Sequence, residues 1–459
     1  MTASGKPAKK KFEKVDIEKL KAKAYEPARL ATIYHPYYEG KIEVVPKCVI
    51  RDFNDFAIWY TPGVAEPCKL INKNLEEAYR QTNKWNNVAV ISDGTRVLGL
   101  GDIGPEAGLP VMEGKALLFK YLGGVDAFPI CLREKDPDKI IEIVKALQPS
   151  FGGVNLEDIS QPKCFRILDT LRKECEIPVW HDDQQGTAAI IAAGTINALK
   201  LVGKKIGEAK IVLSGAGAAN IATARVLKVA GVNLRNIVML DSKGTLHPGR
   251  SDIDRVNWKE KWWIATESNK EGVVGDLSAA CKGADVLIAA SKPGPGTIKP
   301  EVIGLMADQA IVFPVANPIP EIWPWEAIEA GAAVVGTGRS DFPNQVNNSL
   351  GFPGIFRGTL DIKAKTITDE MCVAAARELA KTAEDKGLSP EYIIPTMDEW
   401  EVFPREAVAV ALKGIEQGVA RIKPSKQELF QKAEGIIKRA REETKLLMKQ
   451  GFIKPLPKS

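Results

Sequence analysis

Long apolar runs are missing from this sequence. No stretch of about 18 apolar residues occurs, so no membrane-spanning helix is expected. No apolar h-region follows the basic start, so no secretory signal is expected either. Cysteine is sparse: seven residues stand singly, without a Cys-x-x-Cys pair. That pattern argues against a zinc ribbon, a thioredoxin-type motif or a disulfide scaffold. It fits a reducing, cytoplasmic setting. An excess of one charge is also lacking, with a net +5 over 459 residues. Much of it lies at the start, where Lys6, Lys9, Lys10, Lys11, Lys14, Lys19, Lys21 and Lys23 cluster. A solvated or partly disordered start explains that run better than a nucleic-acid contact. No internal repeat is present.

What is there is an alternation of β and α patterns with polar groups at the strand ends. The length allows two or three domains with real cores. Residues 12–25 read as a short leading helix. HPYYEGKIEVVPKCVI then brings turn signals and a β-like run. Pro62, Gly63 and Pro67 make the segment from Ile58 to Cys68 fixed and non-regular, which would position Tyr60. Residues 87–94, 126–132, 151–160 and 177–183 read as strands, with amphipathic helices between them, so the first part is α/β with a largely parallel sheet.

Two of these strands close on acids: Glu157 with Asp158, and Asp182 with Asp183. Ligands of such sheets bind beyond the carboxyl ends of the strands. Four carboxylates gathered there repel one another unless a cation joins them. Hard divalent ions such as Mg²⁺ or Mn²⁺ take carboxylate oxygens. Helix caps and turn acids are the plain alternative, but two pairs at equivalent strand ends favour a metal. Arg96 opens a stretch punctuated by Gly99, Gly101, Gly104, Gly108 and Gly114. Lys115 follows, where this loop gives way to an apolar helix. The dipole at a helix start favours anions, so a lysine there would hold its proton less tightly.

The second half opens with a strand ending in Gly215-Ala216-Gly217-Ala218-Ala219-Asn220, directly before a helix. The two glycines match a dinucleotide-binding turn: one permits the tight bend, the other lets a pyrophosphate reach the helix N-terminus. Asn220 takes the third position in place of a small residue, which should change packing more than phosphate contact. Asp241 closes the next strand, about 20 residues on, where a ribose hydroxyl is usually bound. Ser242 and Lys243 follow it and could hold a 2′-phosphate instead. Strands at 284–291, 309–318 and 332–338 end in small or polar loops, so Ser291 and Asn317 should line the nicotinamide side. Asn347 and Asn348 offer amides that can hold carboxylates or a carboxamide. The helix TAAIIAAGTINALKLVG, between the acids and the glycine turn, reads as a hinge. From Thr368 the chain turns helical, ending in a long charged helix expected to pack against its own or a neighbouring subunit.

The motifs YTPGVAEPC, ISDGTRVLGLGDIG, PVMEGKALLFK, NLEDIS, HDDQQGTAAI, VLSGAGAA, VANPIPE and FPGIFRGTLD resemble, in order and spacing, the malic enzyme family in its short bacterial or archaeal type. The resemblance covers roughly residues 15–425. It implies oxidative decarboxylation of malate to pyruvate and CO₂ with NAD or NADP and a divalent metal. It further implies Tyr60 as general acid, Lys115 as general base, and Asp182 as the acid beside that lysine. Glu157, Asp158 and Asp183 are the implied metal ligands; Arg96, Asn317 and Asn348 the implied substrate contacts. Trp59 departs from the smaller residue usual before the tyrosine. The fold expected is an α/β substrate and metal domain (1–190), a Rossmann-type doubly wound NAD(P)-binding domain with returning C-terminal helices (191–425), and a helical extension (426–459). Family members are dimers or larger, so a homo-oligomer is expected, without nucleic acid or membrane as partner. Asp241 favours NAD, because an acid repels a 2′-phosphate.

Three other readings compete. A histidine-based 2-hydroxyacid dehydrogenase has only His181 near the acids, since His35 lies in a turn and His247 in a surface-like loop. A non-catalytic nucleotide sensor would not need Lys115, Tyr60 and the acids together. A malate-to-lactate enzyme would use the same residues, and only its product would tell it apart.

Overall fold

The computed structural model describes residues 14–457. The basic cluster from Lys6 to Lys11 therefore lies outside the described residues. Before the first strand come α1 (Lys14–Tyr38), α2 (Asp55–Trp59), α3 (Ala65–Lys73) and α4 (Ala78–Gln81). α1 runs past the expected short helix and continues through Pro27 and Pro36. Tertiary anchors override those two prolines. Ala24 packs with Trp323, Trp325 and Phe342, Arg339 donates to the Ala24 carbonyl (2.5 Å), and Tyr38 donates to the Lys454 carbonyl (3.0 Å). The β-like run over residues 41–50 forms no strand. No strand pairs with it, and a lone strand leaves its backbone groups to water.

β1 (Asn87–Ser92), α5 (Pro105–Gly123), β2 (Asp126–Cys131), α6 (Pro137–Leu147), β3 (Gly153–Leu156), α7 (Lys163–Glu174) and β4 (Val179–His181) follow. The four strands pair in parallel in the order β2-β1-β3-β4. Val88 to Ile91 and all of β3 are buried without alternation, as a parallel sheet covered on both faces requires. All three connections place helices outside the sheet, so the acid-bearing strand ends come out together on one edge.

A single π-helical turn (Asp182–Gly186) leads into α8 (Thr187–Leu201). α8 is buried along nearly its whole length, and Asn197 Nδ2 clamps it to the carbonyls of Ala380 and Ile393, 2.8 Å each. A helix buried on nearly every face is a spine, because bending it would open packed surface. The hinge expected here is therefore not a free joint.

The second sheet contains β5 (Ile211–Ser214), α9 (Ala218–Ala230), β6 (Ile237–Asp241), β7 (Gly244–Thr245), α10 (Lys259–Glu267), α11 (Leu277–Cys281), β8 (Val286–Ala289), α12 (Pro300–Gly304), β9 (Ala310–Pro314), α13 (Pro324–Ala330) and β10 (Ala332–Val335). Its order is β10-β9-β8-β5-β6-β7, parallel except for β7. The order reverses between β5 and β8, which makes their carboxyl ends the ligand crevice.

Four helices close the chain: α14 (Phe352–Asp361), α15 (Asp369–Lys386), α16 (Val402–Glu416) and α17 (Lys426–Lys449). They return to the first sheet. Phe119 of α5 packs on Phe352 and Phe356, with centroids 4.6 and 5.1 Å apart. Arg357, fully buried, forks onto Asp361 (2.9 and 3.1 Å) and donates to Asn86 just before β1 (2.6 Å). α17 buries Leu429, Ala433, Ile437 and Ala440 along one face. Among the described residues, no helix is long and apolar enough to cross a membrane.

Candidate active site

Lys115 lies midway along α5, not at its start. Gly104, at φ +82°, ends the loop, and Pro105 fits the first helical position, where a missing N–H costs nothing. Gly108 and Gly114, read from the sequence as loop, lie inside the helix, as does Pro110. The dipole argument for a loosened proton therefore fails. The Lys115 side chain is buried, with Nζ 2.6 Å from Asp182 Oδ2, 3.1 Å from Glu157 Oε1 and 4.2 Å from the centre of the Phe352 ring. Burial works against its charge, but Asp182 and Glu157 outweigh burial and hold its pKa above the ordinary lysine value. The proton is gripped, the reverse of the expectation.

The acids beside Lys115 are themselves held. Asp182 also accepts from Trp180 Nε1 (3.1 Å) and Asn348 Nδ2 (2.5 Å), and Glu157 accepts from Asn155 Nδ2 (2.8 Å). Sequence reasoning missed Trp180, Asn155 and Phe352. The first two carried a signal: each stands two residues before its acid, and strand side chains two apart share a face. Phe352 carried none, because it arrives from the far end of the chain.

Glu157, Asp158 and Asp183 present oxygens that all lie within 4.8 Å of one another. Asp158 has φ +56°, a left-handed conformation uncommon outside glycine. It turns the backbone so that Asp158 N–H reaches Asp183 Oδ2 (2.8 Å) while its carbonyl accepts from Arg96 N–H (2.9 Å). Asp158 Oδ2 is buried without a partner. Burial pushes the Asp158 carboxyl up to about 8, and neighbouring Asp183 adds to the rise. Burial likewise raises Glu157 and Asp183. An orphaned carboxylate oxygen within a three-carboxylate set fits one hard divalent cation. His181 is fully buried, neither ring nitrogen has a hydrogen bond, Nδ1 lies 3.7 Å from Asp183 Oδ2, and burial pushes its pKa down to about 4. An imidazole sealed inside the core gives a substrate proton no route to its ring nitrogens, which counts against a histidine-type base.

The remaining candidates separate. The Arg96 side chain is exposed beside the cluster, and its charge acts on Asp183. Asn348 joins Asp182 directly, whereas Asn347 turns to the Gly338 carbonyl (2.6 Å). Asn317 sits half-buried beyond β9. A Cβ on Gly99 would lie 2.7 Å from both Asn317 O and Pro293 Cγ, so this glycine lets the Arg96 loop touch the second sheet. Tyr60 is not brought to Lys115 within the chain: its side chain is 71 % exposed.

Beyond β5, a Cβ at Gly215 would lie 2.5 Å from Ala290 O, and φ there is +99°, so only glycine fits the turn. Gly217 precedes α9 and caps it with no side chain, leaving the amides of Ala218, Ala219 and Asn220 facing outward for an anion. Asn220 does more than alter packing. Its Nδ2 donates to Ser214 O (2.9 Å) and Gly215 O (2.8 Å), stapling the turn to the helix. Asp241 ends β6 and pairs with Arg250 (3.1 Å) and Lys261 (2.9 Å). With Ser242, Lys243 and His247 it borders a cavity of about 480 Å³. Ser291 gives its hydroxyl to Glu321 Oε1 (3.2 Å), a residue the sequence did not single out.

Two family models match the chain: "Malic enzyme, N-terminal domain" over residues 39–137 and 133–172, and "Malic enzyme, NAD binding domain" over residues 184–415. A bifunctional malic/malolactic enzyme of Bacillus subtilis is 50 % identical, covering 87 % of this chain and 95 % of its own length. An NAD-dependent malic enzyme of Geobacillus stearothermophilus is 50 % identical over 83 % of this chain and 78 % of its own. Other relatives have names specifying NADP. The crystal structure of the Entamoeba histolytica malic enzyme superposes with a TM-score of 0.94 at 50 % identity, covering 97 % of this chain and 93 % of that one.

The carboxylate geometry generates one prediction. Asp183→Ala should weaken Mn²⁺ binding by on the order of 2–3 kcal/mol, roughly 30- to 150-fold in Kd. A Mn²⁺ titration followed by electron paramagnetic resonance checks this; an unaltered Kd removes Asp183 from the ligand set.

Proposed function

Because the chain belongs to the malic enzyme family, we propose that it oxidises (S)-malate and decarboxylates it to pyruvate and CO₂ with reduction of NAD(P)⁺. The carrying observation is one buried lysine among four carboxylates at adjacent parallel strand ends. Glu157, Asp158 and Asp183 would hold Mg²⁺ or Mn²⁺. That cation would polarise the substrate oxygen and stabilise the electrons left by CO₂, while the dinucleotide accepts the hydride. Lys115 takes the C2 hydroxyl proton. A base must first be neutral. Asp182, 2.6 Å from the Lys115 nitrogen, is the strongest of the anions holding that proton, so the neutral amine forms only as the proton is handed on. Asp182, fixed by Trp180 and Asn348, orients the amine and can receive its proton. Arg96 offers a guanidinium fork to a substrate carboxylate. Asn317 and Asn348 complete the polar lining.

NAD is the preferred dinucleotide in this reading. Burial opposes the charge of Asp241, but Arg250 and Lys261 hold its pKa below the usual carboxylate range, so it stays ionised as an acceptor for a ribose hydroxyl. The enzyme works in the cytoplasm, a setting supported by seven free cysteines.

It works as a homo-oligomer, and residues 42–75 are the support for that. α2 buries only Asp55, and α3 buries nothing. Val44, Phe53, Phe56, Ile58 and Trp59 are exposed around Tyr60. Leu98 and Leu100 beside Arg96, and Leu109 and Leu117 on α5, are exposed as well. An apolar arm next to an apolar site rim suits a second copy of the chain. Laid across that copy, the arm carries the Tyr60 hydroxyl to the partner's Lys115 site, where it protonates C3 of the enolate.

Malate, NAD⁺ and Mn²⁺ should give NADH and pyruvate in equal amounts, read by absorbance and chromatography. Lactate without net NADH would overturn the oxidative reading in favour of malate-to-lactate conversion. Tyr60→Phe and Lys115→Ala should each be inactive alone. Dissociated and reassembled together, they should regain about a quarter of wild-type activity, since about half of the dimers are mixed and each mixed dimer carries one intact site of two. No recovery would place Tyr60 in its own subunit's site.

A further inference from the structure

Glu321 lies between β9 and α13, and its side chain is wholly buried. No lysine or arginine pairs with it among the described residues. The nearby charges are turned elsewhere: Arg339 to Asp341 and to the Pro318 and Ala24 carbonyls, Glu326 to the Trp323 amide, and Lys292 to solvent. Its partners are main-chain donors and one hydroxyl. Oε1 accepts from Ser291 N–H (2.8 Å) and Ser291 Oγ (3.2 Å), and Oε2 accepts from Ala316 N–H (3.1 Å). Its own carbonyl accepts from Ile298 N–H (3.1 Å), and the Ile319 carbonyl accepts from Gly294 N–H (3.2 Å). Burying a carboxylate without a counter-cation is costly. Burial indeed pushes this carboxyl up to about 7, against the pull of those amides. A neutral loop-to-loop contact would have served packing more cheaply.

What the carboxylate joins explains its presence. Ser291 follows β8 and Ala316 follows β9, so one side chain binds two neighbouring strand ends into a block. On one side that block abuts the phosphate turn, where the Cβ position of Gly215 is 2.5 Å from Ala290 O and 3.3 Å from Ser291 Cα. On the other it abuts the Arg96 loop, where the Cβ position of Gly99 is 2.7 Å from Asn317 O. The block therefore spans the gap between the dinucleotide turn and the substrate-side loop.

We propose that Glu321 is a positioning residue for the nicotinamide half of the dinucleotide, locking the Ser291 and Asn317 loops into one rigid wall against which the carboxamide ring is set. Two N–H donors pull on an anion, and a neutral amide at this position cannot accept from both sides. This rests on the reading that a nicotinamide dinucleotide lies along β5 and β8. It adds that recognition is divided: α9 and Asp241 hold the adenosine and phosphates, and the Glu321 block orients the reacting ring.

The test compares binding of NADH with binding of ADP-ribose, which lacks the nicotinamide, in the full-length protein by calorimetry. Glu321→Gln should weaken NADH about tenfold, leave ADP-ribose and Mn²⁺ affinities unchanged, and lower kcat for malate oxidation by more than tenfold. Ser291→Ala, which removes one of the three bonds, should shift NADH in the same direction by a smaller factor and guards against misfolding of the first variant. Equal weakening of NADH and ADP-ribose in both variants would make Glu321 a structural residue and overturn the proposal, as would no change in either. Failure of the wild-type protein to bind ADP-ribose would instead sink the dinucleotide reading beneath it.

Discussion

One buried lysine held among four carboxylates, three of them buried, is the constraint from which the rest of this structure follows. Taking a single carboxylate out of water costs several kcal/mol unless it is paired. Here Glu157, Asp158, Asp182 and Asp183 share one internal cation, Lys115. Every neighbouring element answers that imbalance. Parallel strands release Glu157 and Asp182 at one edge. The left-handed Asp158 turns its amide to Asp183. Trp180, Asn155 and Asn348 donate to the acids. The cover is as necessary as the donors. α14 brings Phe352 over the ammonium and Arg357 under β1, so the end of the chain seals a site begun near residue 90.

The two sheets do separate jobs on one shared hydrophobic core. The first gathers charge; the second presents bare helix amides after Gly215. Glycines mark the meeting points, because only a missing Cβ allows Gly99 to approach Asn317 and Gly215 to approach Ala290. The spine helix α8 fixes the sheets relative to each other by burial on all sides.

The sequence showed the parts whose signals are local. A strand ending in two acids, and a strand ending in Gly-x-Gly before a helix, are legible because periodicity and turn chemistry act over a few residues. The Lys115 environment was misread for the opposite reason. Glycines suggested loop up to Gly114, yet packing carries α5 through the last of them. The partner that grips the proton, Asp182, lies 67 residues away in the chain. α1 was likewise shortened, since its anchors, Trp323, Trp325 and Arg339, come from the second sheet's side. Glu321 closes the VANPIPE motif, but the motif assigned it no role, and only its buried position shows what it joins.

The central claim is that the surplus negative charge exists to be completed by a divalent cation. Thermal unfolding with Mn²⁺ and with chelator tests it most directly. Binding to the folded state alone adds RT ln(1 + [L]/Kd), about 2.7 kcal/mol at a hundredfold excess over Kd. The account predicts a clear rise in Tm with Mn²⁺ that disappears in Asp158→Asn. An unchanged Tm at saturating Mn²⁺, or an equal rise in that variant, would contradict it.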